Sequence, residues 1–179
     1  IAVHCTDTMA SIETIAKYDT MPGNHIDPTG MPAISYHVMV DENGNAFQTL
    51  DFDEVSWHAR GWNHQLVSCC IIYKASNNKN PPPDIQLDSL VETLARMCLY
   101  LGIAPVEGRI FGHRELEGTG FKMFEGKKTL LKSCPGMLVD LTKLRLAVCQ
   151  KVQQILGVED DGLWGPLTSK AFKAYIPPE

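Results

Sequence analysis

Three observations predict an α/β fold, with a central mixed β-sheet flanked by helices and a small C-terminal helical segment. Short apolar runs with strand character alternate with amphipathic helical ones. An Asn-Gly pair joins two of the strand-like runs into a hairpin. Beyond about residue 139 the pattern turns wholly helical. The 179 residues, 44% hydrophobic and 21% charged, suffice for one good core and a small appendage. A net charge of -5, with no basic stripe, argues against a nucleic-acid or anionic-membrane partner. No apolar run approaches the length of a membrane span, so no membrane insertion is expected.

The elements follow in order. IAVHC, residues 1–5, is short and apolar, as a buried strand is, so the chain is expected to start inside the fold; any targeting segment ahead of it would not be visible. SIETIAKY, 11–18, places Ile12, Ile15 and Ala16 at helical spacing, with Ser11 as N-cap. Three prolines and two glycines make 21–34 a loop. SYHVMV and DENGNAFQTL form the hairpin. LVSCCIIY, 66–73, is a continuous buried strand. Apolar positions 87, 90, 91, 94, 97, 98 and 101 mark an amphipathic helix over 85–101, capped by Asp84 and ended by Gly102. RIF, 109–111, is a short strand leading into Gly112 and His113. Leu144, Val148, Val152, Ile155 and Leu156 share one helix face that Gly157 ends, and Pro166 opens a last short helix.

The six cysteines do not read as a disulfide framework. Cys69, Cys70, Cys98 and Cys149 lie in apolar or helical patterns, as buried free thiols do, and no CxxC occurs. Cys134 differs. In LLKSCPG, 130–136, a lysine stands two residues before it and Pro135 follows, a context that suits a thiolate on a loop. His4 ends one buried strand and His113 follows another. Brought to one edge of the sheet, two imidazoles and a thiolate would make a three-ligand zinc site with the fourth position left for water. Spacing alone leaves this open beside the commoner role of a strand-end histidine, structural hydrogen bonding.

Five pieces carry a resemblance. VHC at 3–5, SYHVMVDENGNAFQ at 35–48, HARGWNHQLVSCCII at 58–72, GHRE at 112–115 and KSCPG at 132–136 together resemble the zinc-dependent N-acetylmuramoyl-L-alanine amidases of the type-2 class, a family that includes small phage endolysins and the peptidoglycan recognition proteins. The likeness runs in order over about residues 1–140. It implies that His4, His113 and Cys134 hold a Zn2+ cofactor, and that Tyr36 and Lys132 are catalytic helpers. Lys132 would stabilise the oxyanion, and Tyr36 would hydrogen-bond the attacking water or shuttle its proton. It also places His58 at the substrate cleft, with Asn63 beside it; the alternative for Asn63 is to satisfy local backbone groups. Strand alternation turns His37 away from Tyr36 and Cys5 away from His4, so His37 and Cys5 are read as structural. Glu115, two residues past a ligand, is read as a surface carboxylate, with a supporting or acid/base role as the alternative.

One departure stands out. Eighteen residues separate Glu115 from Cys134, more than in the small phage enzymes of the family, and the glycines among them read as a flap. Phe121, Met123 and Phe124 would cover the cleft or contact glycan. The C-terminal run QKVQQILGVEDDGLWGPLTSKAFKAY, 150–175, resembles the repeat of peptidoglycan-binding modules. The expected division is a catalytic domain over 1–140 and a short helical binding module over 141–179, with Trp164 contacting the wall. The alternative is a packing appendage whose small core is Trp164, Phe172 and Tyr175.

The resemblance implies hydrolysis of the amide between N-acetylmuramic acid and L-alanine in peptidoglycan, by a monomer acting on the cell wall. If phage-encoded, it would be made in the host cytoplasm and released to the wall at lysis. Three rivals remain: a non-catalytic recognition protein, a zinc site that only stabilises the fold, and an amidase that recycles soluble muropeptides.

Overall fold

The computed structural model describes residues 1–77, 79–106 and 108–175; the last four positions of the expected C-terminal segment lie outside them. The centre is a five-stranded mixed sheet of β1 (Ala2–Cys5), β2 (Val38–Val40), β3 (Ala46–Gln48), β4 (Ser68–Ile71) and β5 (Phe111–Gly112), in the order β3-β2-β4-β1-β5. β1 runs parallel to β4 and β5, and β2 runs parallel to β4 but antiparallel to β3. Helices α1 (Ile12–Thr20), α2 (Asp84–Tyr100), α3 (Leu141–Leu156) and α4 (Pro166–Ala174) surround it.

Side-chain alternation along the buried strands sorts the core into layers. Val3, Cys5, Val38, Val40, Cys69 and Ile71 face α2 and α3. Met39, Cys70 and Ile72 face the other way, against Ile15 of α1 and Ile34. Ser11 caps α1 by accepting the amide of Thr14. Gln86, fully buried on α2, donates to the carbonyls of Val40 (3.1 Å) and Ile72 (3.0 Å) and so ties the helix to the ends of β2 and β4.

One expectation is corrected. Asp84 does not cap α2: it is the first helical residue, and Pro83 stands at the N-cap position with no side-chain cap bond. Proline presets a φ close to helical, and the Asp84 carboxylate instead faces the positive end of the helix dipole. The segment expected to form a flap is an antiparallel hairpin of β6 (Phe121–Phe124) and β7 (Lys127–Leu130). Glu125 (φ 49°) and Gly126 (φ 74°) both take the left-handed conformation that a two-residue hairpin turn requires.

α3 does not stand apart from the rest. Its Leu141, Leu144, Val148 and Val152 are buried in the same core as Val3, Ile71, Leu90 and Leu94. At its end Gly157 adopts φ 68°. The buried Gln153 then fastens the following turn, donating to Asp161 Oδ1 (2.8 Å) and the Leu163 carbonyl (3.0 Å) while accepting the Gly162 amide (2.8 Å). Trp164 packs edge-on against Phe172 of α4 with ring centroids 5.1 Å apart.

Candidate metal centre

His4 leaves β1 on the face opposite Val3 and Cys5. His113 opens the 3-10 turn His113–Glu115 directly after β5. β1 and β5 are parallel neighbours, paired Ala2 to Phe111 and Val3 to Gly112, so both histidines emerge at the carboxyl ends of adjacent strands, where open α/β sheets place their sites. Gly112 permits this: a Cβ there would lie 2.5 Å from Cδ1 of Leu141 on α3. Cys134 arrives on a loop that Arg114 holds. The Arg114 amide donates to the Cys134 carbonyl (2.9 Å), and its guanidinium donates to the carbonyls of Gly136 (2.5 Å) and Val139 (2.8 Å).

One donor atom each from His4, His113 and Cys134 lies within 4.8 Å of the other two. Nδ1 of His4 is 3.6 Å from Sγ of Cys134, and the His4 and His113 ring centroids are 4.7 Å apart. Zinc bonds of about 2.1 Å to nitrogen and 2.3 Å to sulfur, at a tetrahedral angle, put those two donors about 3.6 Å apart. Two neutral imidazoles and a thiolate also suit zinc in kind, so the residues fit the ion. Burial lowers the pKa of His113 to about 4, with the nearby Lys132 ammonium adding to the effect. Burial likewise holds His4 well below its ordinary value. Both rings are therefore neutral at pH 7, as ligands must be. Burial pushes the Cys134 thiol up, while the Cys5 amide, donating to its sulfur at 3.1 Å, favours the thiolate.

One nitrogen of each ring is engaged within the chain. His4 Nε2 is 2.9 Å from Nδ1 of His58, whose own Nε2 meets the Leu66 carbonyl at 3.1 Å. His113 Nε2 is 3.1 Å from the Thr119 hydroxyl. Thr119, Arg114 and the Cys5 amide are site residues that sequence reasoning passed over. Thr119 sits in a Gly-Thr-Gly run that reads as loop, and a backbone amide leaves no trace in residue type. Gly120 follows Thr119 because a Cβ there would lie 1.8 Å from the His113 carbonyl oxygen.

The other expected site residues lie as follows. Tyr36, half-buried just ahead of β2, has its ring centroid 5.4 Å from that of His4. Burial, with the Cys70 and Cys134 thiols nearby, holds its phenol well above the ordinary value. Lys132 is exposed on the Cys134 loop. His58 is 7% exposed, with both ring nitrogens engaged inside the chain. Asn63 accepts the Ala59 amide through Oδ1 at 2.7 Å. Trp164 belongs to the C-terminal packing and is not brought to the cluster. His37 is buried among Ser56, Ser68 and the Glu54 carbonyl, and Cys5 contributes its main chain. Glu115 accepts the Gly112 amide (2.9 Å) and pairs with Arg145 of α3, bracing the turn that carries His113.

An α/β sheet with a His-His-Cys cluster at its strand ends is the class of protein that fold and site define. The chain belongs to the N-acetylmuramoyl-L-alanine amidase family Amidase_2, whose model matches residues 1–136. No curated protein matches it. Among solved structures it is similar to the N-acetylmuramoyl-L-alanine amidase LysC from Clostridium intestinale URNW, at 16% identity and a TM-score of 0.61 over 88% of this chain and 84% of that one. It is also similar to the Ph2119 endolysin from Thermus scotoductus MAT2119 bacteriophage Ph2119, at 20% and 0.58 over 84% and 82%. The bumblebee peptidoglycan recognition protein PGRP-SA follows at 18% and 0.54 over 79% and 77%. At these identities the likeness is one of fold.

Proposed function

We propose that the protein is a zinc-dependent N-acetylmuramoyl-L-alanine amidase of the phage endolysin type. It would cut the amide between the lactyl group of N-acetylmuramic acid and L-alanine in peptidoglycan. The observation that carries this reading is the convergence of His4, His113 and Cys134 within 4.8 Å.

Zinc held by these three residues would supply a Lewis acid and a bound water with a pKa near neutrality. The chain's own residues do the rest. The Cys5 amide steadies the Cys134 thiolate. Tyr36, a neutral phenol at pH 7, can move a proton through its hydroxyl from the attacking water to the departing alanine nitrogen. Water's oxygen bonds to the lactyl carbonyl carbon, the carbon–nitrogen bond breaks, and the alanine amine leaves protonated. The Lys132 ammonium stabilises the charge that develops on the carbonyl oxygen. At the C-terminal end, Leu163 (68% exposed) and Leu167 (78% exposed) flank the half-buried Trp164 and are the candidate contacts to the wall.

Digestion of purified peptidoglycan tests the reading. New alanine amino termini that vanish with a chelator and return with zinc are expected. New reducing sugar ends would mean a glycosidase. Neither product, with tight sacculus binding, would mean a recognition protein, and activity on soluble muropeptides but not intact sacculi would mean a recycling enzyme.

A further inference from the structure

We infer that His58 is a positioning residue that fixes which nitrogen of His4 faces the metal. The inference rests on the zinc reading of the cluster. Its basis is a directional chain of hydrogen bonds: Leu66 carbonyl, His58 Nε2, His58 Nδ1, His4 Nε2, with His4 Nδ1 left facing Cys134.

A main-chain carbonyl can only accept. His58 Nε2, 3.1 Å from the Leu66 oxygen, must therefore carry the hydrogen. A neutral imidazole has one N–H, so His58 Nδ1 is bare and can only accept. His4 Nε2, 2.9 Å away, must then be the donor. The same count applied to His4 leaves its Nδ1 bare, and this is the nitrogen 3.6 Å from the Cys134 sulfur. The relay starts at a fixed backbone atom and ends with a lone pair aimed into the cluster. Burial shields it: His4 is 1% exposed and His58 7%. The ring centroids are 4.9 Å apart, close to the separation that an N–H···N bond lying in both ring planes gives, with the rings turned 83° to each other about that bond. Without the acceptor on His58, His4 would be free to protonate Nδ1, and metal binding would first have to move that proton. Partners of this kind are worth about 10- to 100-fold in metal affinity.

The role is distinct from substrate contact. Both polar atoms of His58 are occupied within the chain, so no nitrogen remains to meet a ligand unless the relay breaks.

The test has two arms, both on the full chain. First, long-range proton–nitrogen correlation spectra of the zinc-free, 15N-histidine-labelled wild-type protein at pH 7 report the tautomer of each ring. His4 and His58 are both expected to carry hydrogen on Nε2; His4 protonated at Nδ1 would overturn the inference. Second, zinc affinity is measured by chelator competition for wild type, His58→Gln and His58→Leu, with thermal unfolding of each zinc-free form as control. The glutamine amide can accept from His4 and donate to Leu66, so His58→Gln should bind close to wild type. His58→Leu should bind about 10- to 100-fold more weakly. Equal affinity in His58→Leu, or an equal loss in both variants, overturns the relay. If His58→Leu does not fold, the tautomer spectrum and His58→Gln still decide. Failure of the wild-type chain to take up zinc would instead overturn the metal reading itself.

Discussion

The amide of Cys5 donates to the sulfur of Cys134 at 3.1 Å, across 129 positions of sequence. Two cysteines meet at the centre: Cys134 is the candidate ligand, while Cys5 meets its sulfur through the backbone amide, with the Cys5 thiol lying beside it. Substitution should separate them. Cys134→Ser is expected to lose zinc stoichiometry and nearly all activity. Cys5→Ala keeps the amide and should keep zinc, at a modest stability cost from the buried sulfur. Metal analysis of both purified variants checks this. Loss of zinc from Cys5→Ala would mean that the Cys5 thiol itself is a ligand.

Tyr36 and Lys132 should show kinetic effects without loss of metal. Lys132→Ala is expected to lower kcat about 100- to 1,000-fold, the range for removing one oxyanion donor. Tyr36→Phe should cost about 100- to 10,000-fold, as for a general acid–base group. Zinc content measured beside the rates distinguishes these roles from ligand loss.

The zinc-free protein should weaken in acid. His4, His37, His58 and His113 all have pKa values lowered by burial, His58 and His113 to about 4. In the unfolded chain each takes up its proton near pH 6.5. Between pH 6.5 and about 4 the unfolded state binds more protons, so stability is complete above pH 6.5 and is lost as pH falls. His58 and His113 each contribute a slope of up to about 1.4 kcal/mol per pH unit within that window, and His4 and His37 act in the same direction. Urea midpoints at pH 7, 6 and 5 should fall progressively; a flat profile would contradict neutral buried rings.

The β6–β7 hairpin should matter for substrate more than for stability. Phe124 is 63% exposed and Met123 51%, so the hairpin buries little. Its base closes by itself: the amides of Leu131 and Lys132 donate to the Gly120 carbonyl at 2.8 and 3.0 Å. Replacing residues 121–130 by a short glycine linker should leave the melting temperature within a few degrees of wild type, since little buried apolar area is lost. KM on sacculi should rise. An unchanged KM would remove the hairpin from the substrate cleft.

Truncation after residue 140 should prevent folding. Leu141, Leu144, Val148 and Val152 belong to the main core. At roughly 1.5–3 kcal/mol for each buried apolar side chain, their loss rivals the 5–15 kcal/mol that stabilises a typical domain. Truncation after residue 157 removes only the last turn and α4 and should leave a folded chain. Circular dichroism of the two truncations decides whether α3 belongs to the catalytic unit or to a separate module.

The sequence by itself determined the α/β class and the order of the central strands and the helices. Those are properties of local pattern, apolar periodicity and turn residues; spacing alone left His4, His113 and Cys134 open, and only the resemblance joined them as a ligand set. The two strands at 121–130 escaped it because their faces are mostly solvent-exposed and Phe121-Lys122-Met123 is too short an alternation to stand out among the glycines and lysines around it. The boundary at residue 140 follows the turn to helical pattern after about Val139; that Leu141, Leu144, Val148 and Val152 of α3 are buried in the main core is decided by packing. The surroundings of the metal centre were likewise decided by tertiary structure. His58 reads in sequence as a cleft residue, and its partners, His4 and the Leu66 carbonyl, lie 54 and 8 positions away. The guanidinium of Arg114 and the amide of Cys5 act on backbone and sulfur atoms that come near only when parallel strands align. Hydrogen-bond direction depends on which atom faces which, and residue type alone does not carry that information.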